Sequence, residues 1–149
     1  MPVKLVALDG DDLAVISAHV QDAVVRAADI VWQPGDKRLV IGMSRPDWEQ
    51  ALGGAASPRR LISVLRFDRV LACRSRRIER DGPRARLNIV GVAFHPATPP
   101  GGHVVLMFGD GAALRLDVEC LECGLVDLGR DGSGEAVSGD ASLSSPARS

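Results

Sequence analysis

Tyrosine is absent from these 149 residues, and the whole aromatic complement is three Phe and two Trp. Single-stranded nucleic acid is held largely by aromatic stacking platforms, so a chain this poor in rings is badly equipped for it. The core must instead be built from Val, Leu, Ile and Ala. Cysteine is scarce and odd in number, three residues, which argues against a disulfide framework. No run of about eighteen apolar residues occurs, so no helical membrane span is expected. The opening Met-Pro-Val-Lys-Leu-Val-Ala-Leu-Asp lacks the apolar stretch and small-residue cleavage site of a signal peptide. These absences together predict a cytoplasmic protein. Lysine is nearly missing too, Lys4 and Lys37 being the only two, a bias toward Arg for which we have no physical account.

Catalytic motifs are also lacking. No Gly-x-Ser-x-Gly, phosphate loop or dinucleotide fingerprint is present, so no catalytic residue and no cofactor is nominated. Asp9, Asp11 and Asp12 resemble the start of a calcium loop, but the required Gly and closing Glu do not follow. Cys120-x-x-Cys123 has the spacing that opens many zinc sites, yet no second pair repeats it. Cys120 falls on the apolar phase of its segment, where a thiol behaves as a small hydrophobe. His95 and His103 bracket a Pro/Gly loop and could meet across its mouth, without a neighbouring carboxylate to complete a metal site. His19 has Asp22 one turn on as an expected hydrogen-bond partner.

What the chain does have is a strong charge asymmetry. Ten arginines lie between Arg59 and Arg86 with only Asp68, Glu79 and Asp81 among them, about +7 in a chain of net charge −1. Such a segment is the electrostatic footprint of an anion-binding surface, or of a sheet edge whose charges discourage aggregation. If Asp81-Gly-Pro83 turns a hairpin, Arg74 and Arg76 share one face with Arg84 and Arg86, backed by Leu71, Cys73, Leu87 and Ile89. The rest of the chain, at about −8, disfavours duplex nucleic acid as the partner. Trp48, flanked by acids in Pro46-Asp-Trp-Glu-Gln50, reads as half-exposed and a candidate interface anchor.

Periodicity supplies the fold. Lys4 to Leu8 is an opening apolar run. Asp9 can cap a helix carrying Leu13, Ile16 and Val20 on one stripe, three to four turns long. From about Ala28 the period becomes two. Ile30 to Trp32, Arg38 to Arg45, Leu61 to Phe67, Val70 to Ile78, Leu87 to Phe94, His103 to Phe108 and Ala113 to Cys120 read as strands. The segment 103–108 is apolar on both faces and should be covered on both. After Cys120 the alternation slips, predicting a bulge or short helix through Leu128, and 129–149 reads as a disordered tail. The expectation is an α+β protein: one N-terminal helix on a curved, largely antiparallel sheet of about seven strands. A pleckstrin-homology-like sandwich or a partly open barrel would satisfy it, with residues 1–128 as one domain.

Three blocks resemble a family. Asp12-Leu-Ala-Val-Ile-Ser-Ala-His-Val-Gln-Asp-Ala-Val24, Phe67-Asp-Arg-Val-Leu71 and Leu114-Arg-Leu-Asp-Val-Glu-Cys-Leu-Glu122 are similar to a small bacterial family of uncharacterised proteins, the domain of unknown function 2948. The likeness spans roughly residues 3 to 128 and implies one cytoplasmic domain, with no activity, cofactor or site residue to transfer. The leading functional expectation is a non-catalytic protein-binding or scaffold module, its partner another protein or a second copy. An anion or nucleic-acid binder using the arginine face is the alternative, and an enzyme of unrecognised class a third.

Overall fold

The computed structural model describes residues 4–48, 52–54, 59–79 and 85–130. The predicted turn Asp81-Gly-Pro83, with Arg84, lies outside them, as do most of the loop 53–58 and residues 131–149. Strand β1 (Lys4–Ala7) leads into helix α1 (Gly10–Val20), where Asp9 accepts a hydrogen bond from the Asp12 N–H at 2.8 Å. That cap and the acidic first turn at Asp11 and Asp12 fix the helix start. Leu13, Ile16 and Val20 form its buried stripe, as their spacing requires.

Apart from short 3-10 turns at Ala27–Asp29, Pro34–Asp36 and Gly109–Gly111, the remaining described elements are strands: β2 (Val24–Arg26), β3 (Ile30–Gln33), β4 (Arg38–Pro46), β5 (Arg60–Phe67), β6 (Val70–Arg76), β7 (Arg86–Pro96), β8 (Gly102–Phe108), β9 (Ala113–Val118) and β10 (Cys123–Arg130). All their pairings are antiparallel, and the ladder runs β1-β10-β5-β4-β2-β7-β8-β9-β6, with β3 also on β4. The expected class is observed: one helix packed on a large antiparallel sheet. Among the described residues, ten strands stand where about seven were expected.

Two of the extra strands show why. β2 is three residues long, too short for a period to be read. β10 keeps the alternation of Cys123, Leu125 and Asp127 inward, but the third inward residue is a charge, so the stretch did not read as a strand. It runs to Arg130 as a strand rather than a helix, with a register shift against β5 between Asp127 and Gly129, and so takes in the first two residues of the predicted tail. The irregularity predicted near Cys120 is instead a corner between β9 and β10.

β7 joins the two halves of the sheet. Its first residues pair with β2 and its later ones with β8, with a register shift between Ile89 and Gly91. The extra residue there frees backbone groups, and α1 satisfies one of them: the Val92 N–H donates to Ser17 Oγ at 2.9 Å. Two corners carry the chain between the halves. At the first, Asp68–Arg69 links β5 to β6; at the second, residues 119–122 link β9 to β10. They lie side by side, the Asp68 N–H donating to the Glu122 carbonyl and the Glu119 N–H to the Arg69 carbonyl. Both halves thereby face one core, in which Leu39, Ile41, Leu65, Phe67 and Leu125 meet Val104, Leu106, Leu114, Leu116 and the stripe of α1.

That core contains one ionic cluster. Arg45 continues the inward phase of Leu39, Ile41 and Met43 and is 3% exposed; Asp127 is 4% exposed and Ser63 fully buried. Arg45 donates to both oxygens of Asp127 from Nη2 at 2.9 and 2.8 Å, and from Nε to Ser63 Oγ at 3.0 Å. The Ser63 hydroxyl donates to the same carboxylate. Nη1 reaches the carbonyls of His19 and Pro46, tying the last turn of α1 to β4. A charge pair survives burial only with such complete satisfaction.

Candidate functional site

The arginine-rich segment divides by what each guanidinium touches. Arg60 donates to Ser44 Oγ and to the carbonyls of Ser44 and Asp22, a structural use. Arg66 and Arg38 both hold Asp68, at 2.8 and 3.0 Å. Burial pushes the Asp68 carboxyl up, but the hydrogen bonds and charges of Arg66 and Arg38 outweigh it and hold its pKa below the ordinary value. Arg69 lies 3.8 Å from Glu122. Arg74, Arg76 and Arg86 are exposed and make no ion pair among the described residues.

The predicted hairpin between the strands carrying these three does not form. β6 pairs with β9, and both β9 and β8 lie between β6 and β7 in the ladder. Arg86 instead faces Arg26 across the β2–β7 ladder, on the other half of the sheet. Leu71, expected in the core, is 54% exposed beside the register shift that opens β6. Cys73 is half-buried opposite Leu116, so the backing of the arginine face comes from β9 rather than β7. The reason is topological: the β5–β6 corner sends β6 to the far end of the sheet, which no local pattern announces.

Register defines a different basic face. Residues directly opposite in an antiparallel pair share a side of the sheet. One outward row runs Arg74, Arg115, Val105, Ala93 across β6, β9, β8 and β7; the next runs Arg76, Ala113, Met107, Gly91. A third continues through Ala72, Asp117, His103 and His95. Arg115 thus joins Arg74 and Arg76 at one margin, three guanidinium groups with one carboxylate among them, Asp117, 3.2 Å from Arg115. Sequence reasoning missed Arg115 because it lies outside the basic stretch, and only the β6–β9 pairing brings it there. The expected cover on both faces of β8 is incomplete, since Met107 is partly exposed on this side.

At the opposite margin His95 and His103 pair across β7–β8 with ring centroids 5.1 Å apart, as their positions around the loop suggested. Asp117 is the next residue in their row but is engaged by Arg115. No group of three His, Cys, Asp or Glu able to hold a metal occurs among the described residues. Of the Cys120/Cys123 pair, Cys123 is buried, while Cys120, expected on the apolar phase, is half-buried past the end of β9. Burial, with the charge of Asp68 added, pushes the Cys123 thiol far above its ordinary range, which disfavours the thiolate that metal binding needs. His19 bonds the Val15 carbonyl through Nδ1 at 2.9 Å rather than Asp22, whose backbone takes a left-handed turn.

Trp48 is half-buried, as expected, and lines an open cavity of about 300 Å³ with Ala18, His19, Gln21 and Leu52. Its indole N–H is enclosed and has no hydrogen-bond partner among the described residues. The cavity lies at the C-terminal end of α1, on a different part of the molecule's elements from the β6–β9 arginines.

No curated protein and no solved structure matches the chain. The family model described as a protein of unknown function (DUF2948) matches residues 3–138. That match covers nearly the whole sequence, and the chain belongs to this family.

Proposed function

We propose that this protein is a non-catalytic binding module that contacts an acidic surface of another protein through the outward face of Arg74, Arg76 and Arg115. The observation that carries the reading is the cross-strand pairing of Arg74 with Arg115, with Arg76 two residues along the same face and Asp117 the one carboxylate in these rows among the described residues. Guanidinium groups on a rigid sheet present fixed forks for bidentate capture of carboxylates. The rows beside them offer Ala113, Val105 and Met107 rather than aromatic rings, which suits a polypeptide better than a base.

The test is retention of the purified protein on immobilised poly-glutamate and, separately, on immobilised RNA, across a salt gradient. Retention on poly-glutamate should exceed that on RNA at equal charge density. Arg74→Ala with Arg76→Ala should abolish it, while Arg86→Ala, on the other half of the sheet, should leave most of it. Unchanged retention in the double variant, or stronger retention on RNA, would refute the proposal.

A further inference from the structure

The same margin of the molecule is a sheet edge, and its main chain is as informative as its arginines. β6 is the last strand of the ladder and, among the described residues, pairs on one side only. Which of its backbone groups are free follows from register. The Phe108 N–H donates to the Ala112 carbonyl, so residue 112 points its main-chain groups at β8. Main-chain direction alternates along a strand, so Leu114 and Leu116 also turn theirs to β8, while Ala113, Arg115 and Asp117 turn theirs to β6. Their partners Arg76, Arg74 and Ala72 therefore spend their N–H and C=O groups on β9. Cys73 and Ser75 between them direct theirs to the open side.

The chain itself occupies the first position of that open side. The Val70 N–H donates to the Lys37 carbonyl at 2.9 Å, from the turn between β3 and β4. Among the described residues, the line of hydrogen-bonding groups then continues unpaired along Cys73 and Ser75. Resting on the binding reading above, we infer that β6 takes an extended acidic peptide segment as an added strand. Two N–H and two C=O groups supply main-chain hydrogen bonds, and the arginines supply selection.

Charge decides the occupant. Arg74 and Arg76 flank the free groups, exposed on the outward face, with Arg115 behind Arg74. A second copy adding through its own β6 would set arginine against arginine, a like-charge cross-strand arrangement that destabilises pairing. An incoming strand with Glu or Asp at alternate positions would place a carboxylate opposite each of them, since side chains repeat on one face every second residue. The ligand class is therefore an extended acidic-x-acidic segment of a protein partner.

The decisive probe is a synthetic Glu-Thr-Glu-Val-Glu peptide, capped at both ends, against the full-length chain. Its backbone N-methylated counterpart has the same charges and no strand-pairing donors. Fluorescence anisotropy should show N-methylation weakening binding by at least tenfold. Amide hydrogen exchange at Cys73 and Ser75 should slow by at least tenfold when the unmodified peptide is bound. A protein-side check is Ser75→Pro, which removes an outward N–H without touching the β9 ladder and should also weaken the unmodified peptide. Equal binding of both peptides with unprotected Cys73 and Ser75 would overturn strand addition. If Arg74→Ala with Arg76→Ala still abolished binding in that case, the arginine face would stand without it. Indifference to the arginines, or no binding at all, would overturn both. Self-association through β6 in sedimentation would overturn the choice of occupant.

Discussion

Removing the Asp127 carboxylate should reveal how much of this fold hangs on one buried ionic cluster. In Asp127→Ala, Arg45 keeps Ser63 Oγ and the carbonyls of His19 and Pro46 but loses the one counter-charge it has among the described residues, within a site almost closed to solvent. Ser63 also loses the acceptor of its hydroxyl. Breaking a buried pair by deleting one partner costs about 3–5 kcal/mol, because the surviving charge stays desolvated. At this chain length each kcal/mol lowers the melting temperature by roughly 2–4 °C, so a fall on the order of 10 °C is expected. Urea unfolding followed by tryptophan fluorescence is the assay, with Trp32 packed against the core as the reporter. Replacing the cluster together, Arg45→Met with Ser63→Ala and Asp127→Leu, should return stability to within about 2 kcal/mol of the parent, since no buried polar group is then stranded. A loss under about 1 kcal/mol in Asp127→Ala would refute the reasoning. So would a triple variant as unstable as the sum of its parts.

Other consequences follow from single contacts. Ser17→Ala leaves the Val92 N–H at the β7 register shift without its acceptor and should cost about 1–3 kcal/mol, read by the same urea titration. A Cβ at Gly102 would collide with the His95 carbonyl and lie 2.9 Å from the Phe94 ring, so Gly102→Ala should destabilise by about 1–3 kcal/mol and disturb the β7–β8 pairing in amide exchange. Because Asp68 has a lowered pKa in the folded state, its stabilising contribution is present above its unfolded pKa near 3.8 and is lost as pH falls through the folded value. Asp68→Asn should accordingly flatten the decline of stability in acid below about pH 4, measured against the parent. In the native protein at pH 8, alkylation followed by peptide mass spectrometry should modify Cys120 well before Cys123, whose thiol is buried and held protonated.

Local chemistry was legible wherever a residue's role depended on neighbours a few positions away. The Asp9 cap and the α1 stripe both depend on contacts within one element. Pro34-Gly-Asp-Lys37 has the composition of a turn, yet Lys37 rather than Gly35 takes the left-handed conformation. Arg45 and Asp127 escaped notice in the sequence for one reason. A charge on the inward phase breaks an apolar pattern, and its partner sits 82 residues away on another strand.

Tyrosine's absence, the single capped helix and the period-two stretches together determined an α+β protein with an aliphatic core, because those signals are carried by adjacent residues. Sequence also located the excess of positive charge. Only the tertiary structure decided which arginines meet, because antiparallel register is set by corners and long-range pairing rather than by spacing along the chain. The β5–β6 corner moves Arg74 and Arg76 away from Arg86 and places them beside Arg115 on a strand with one open edge.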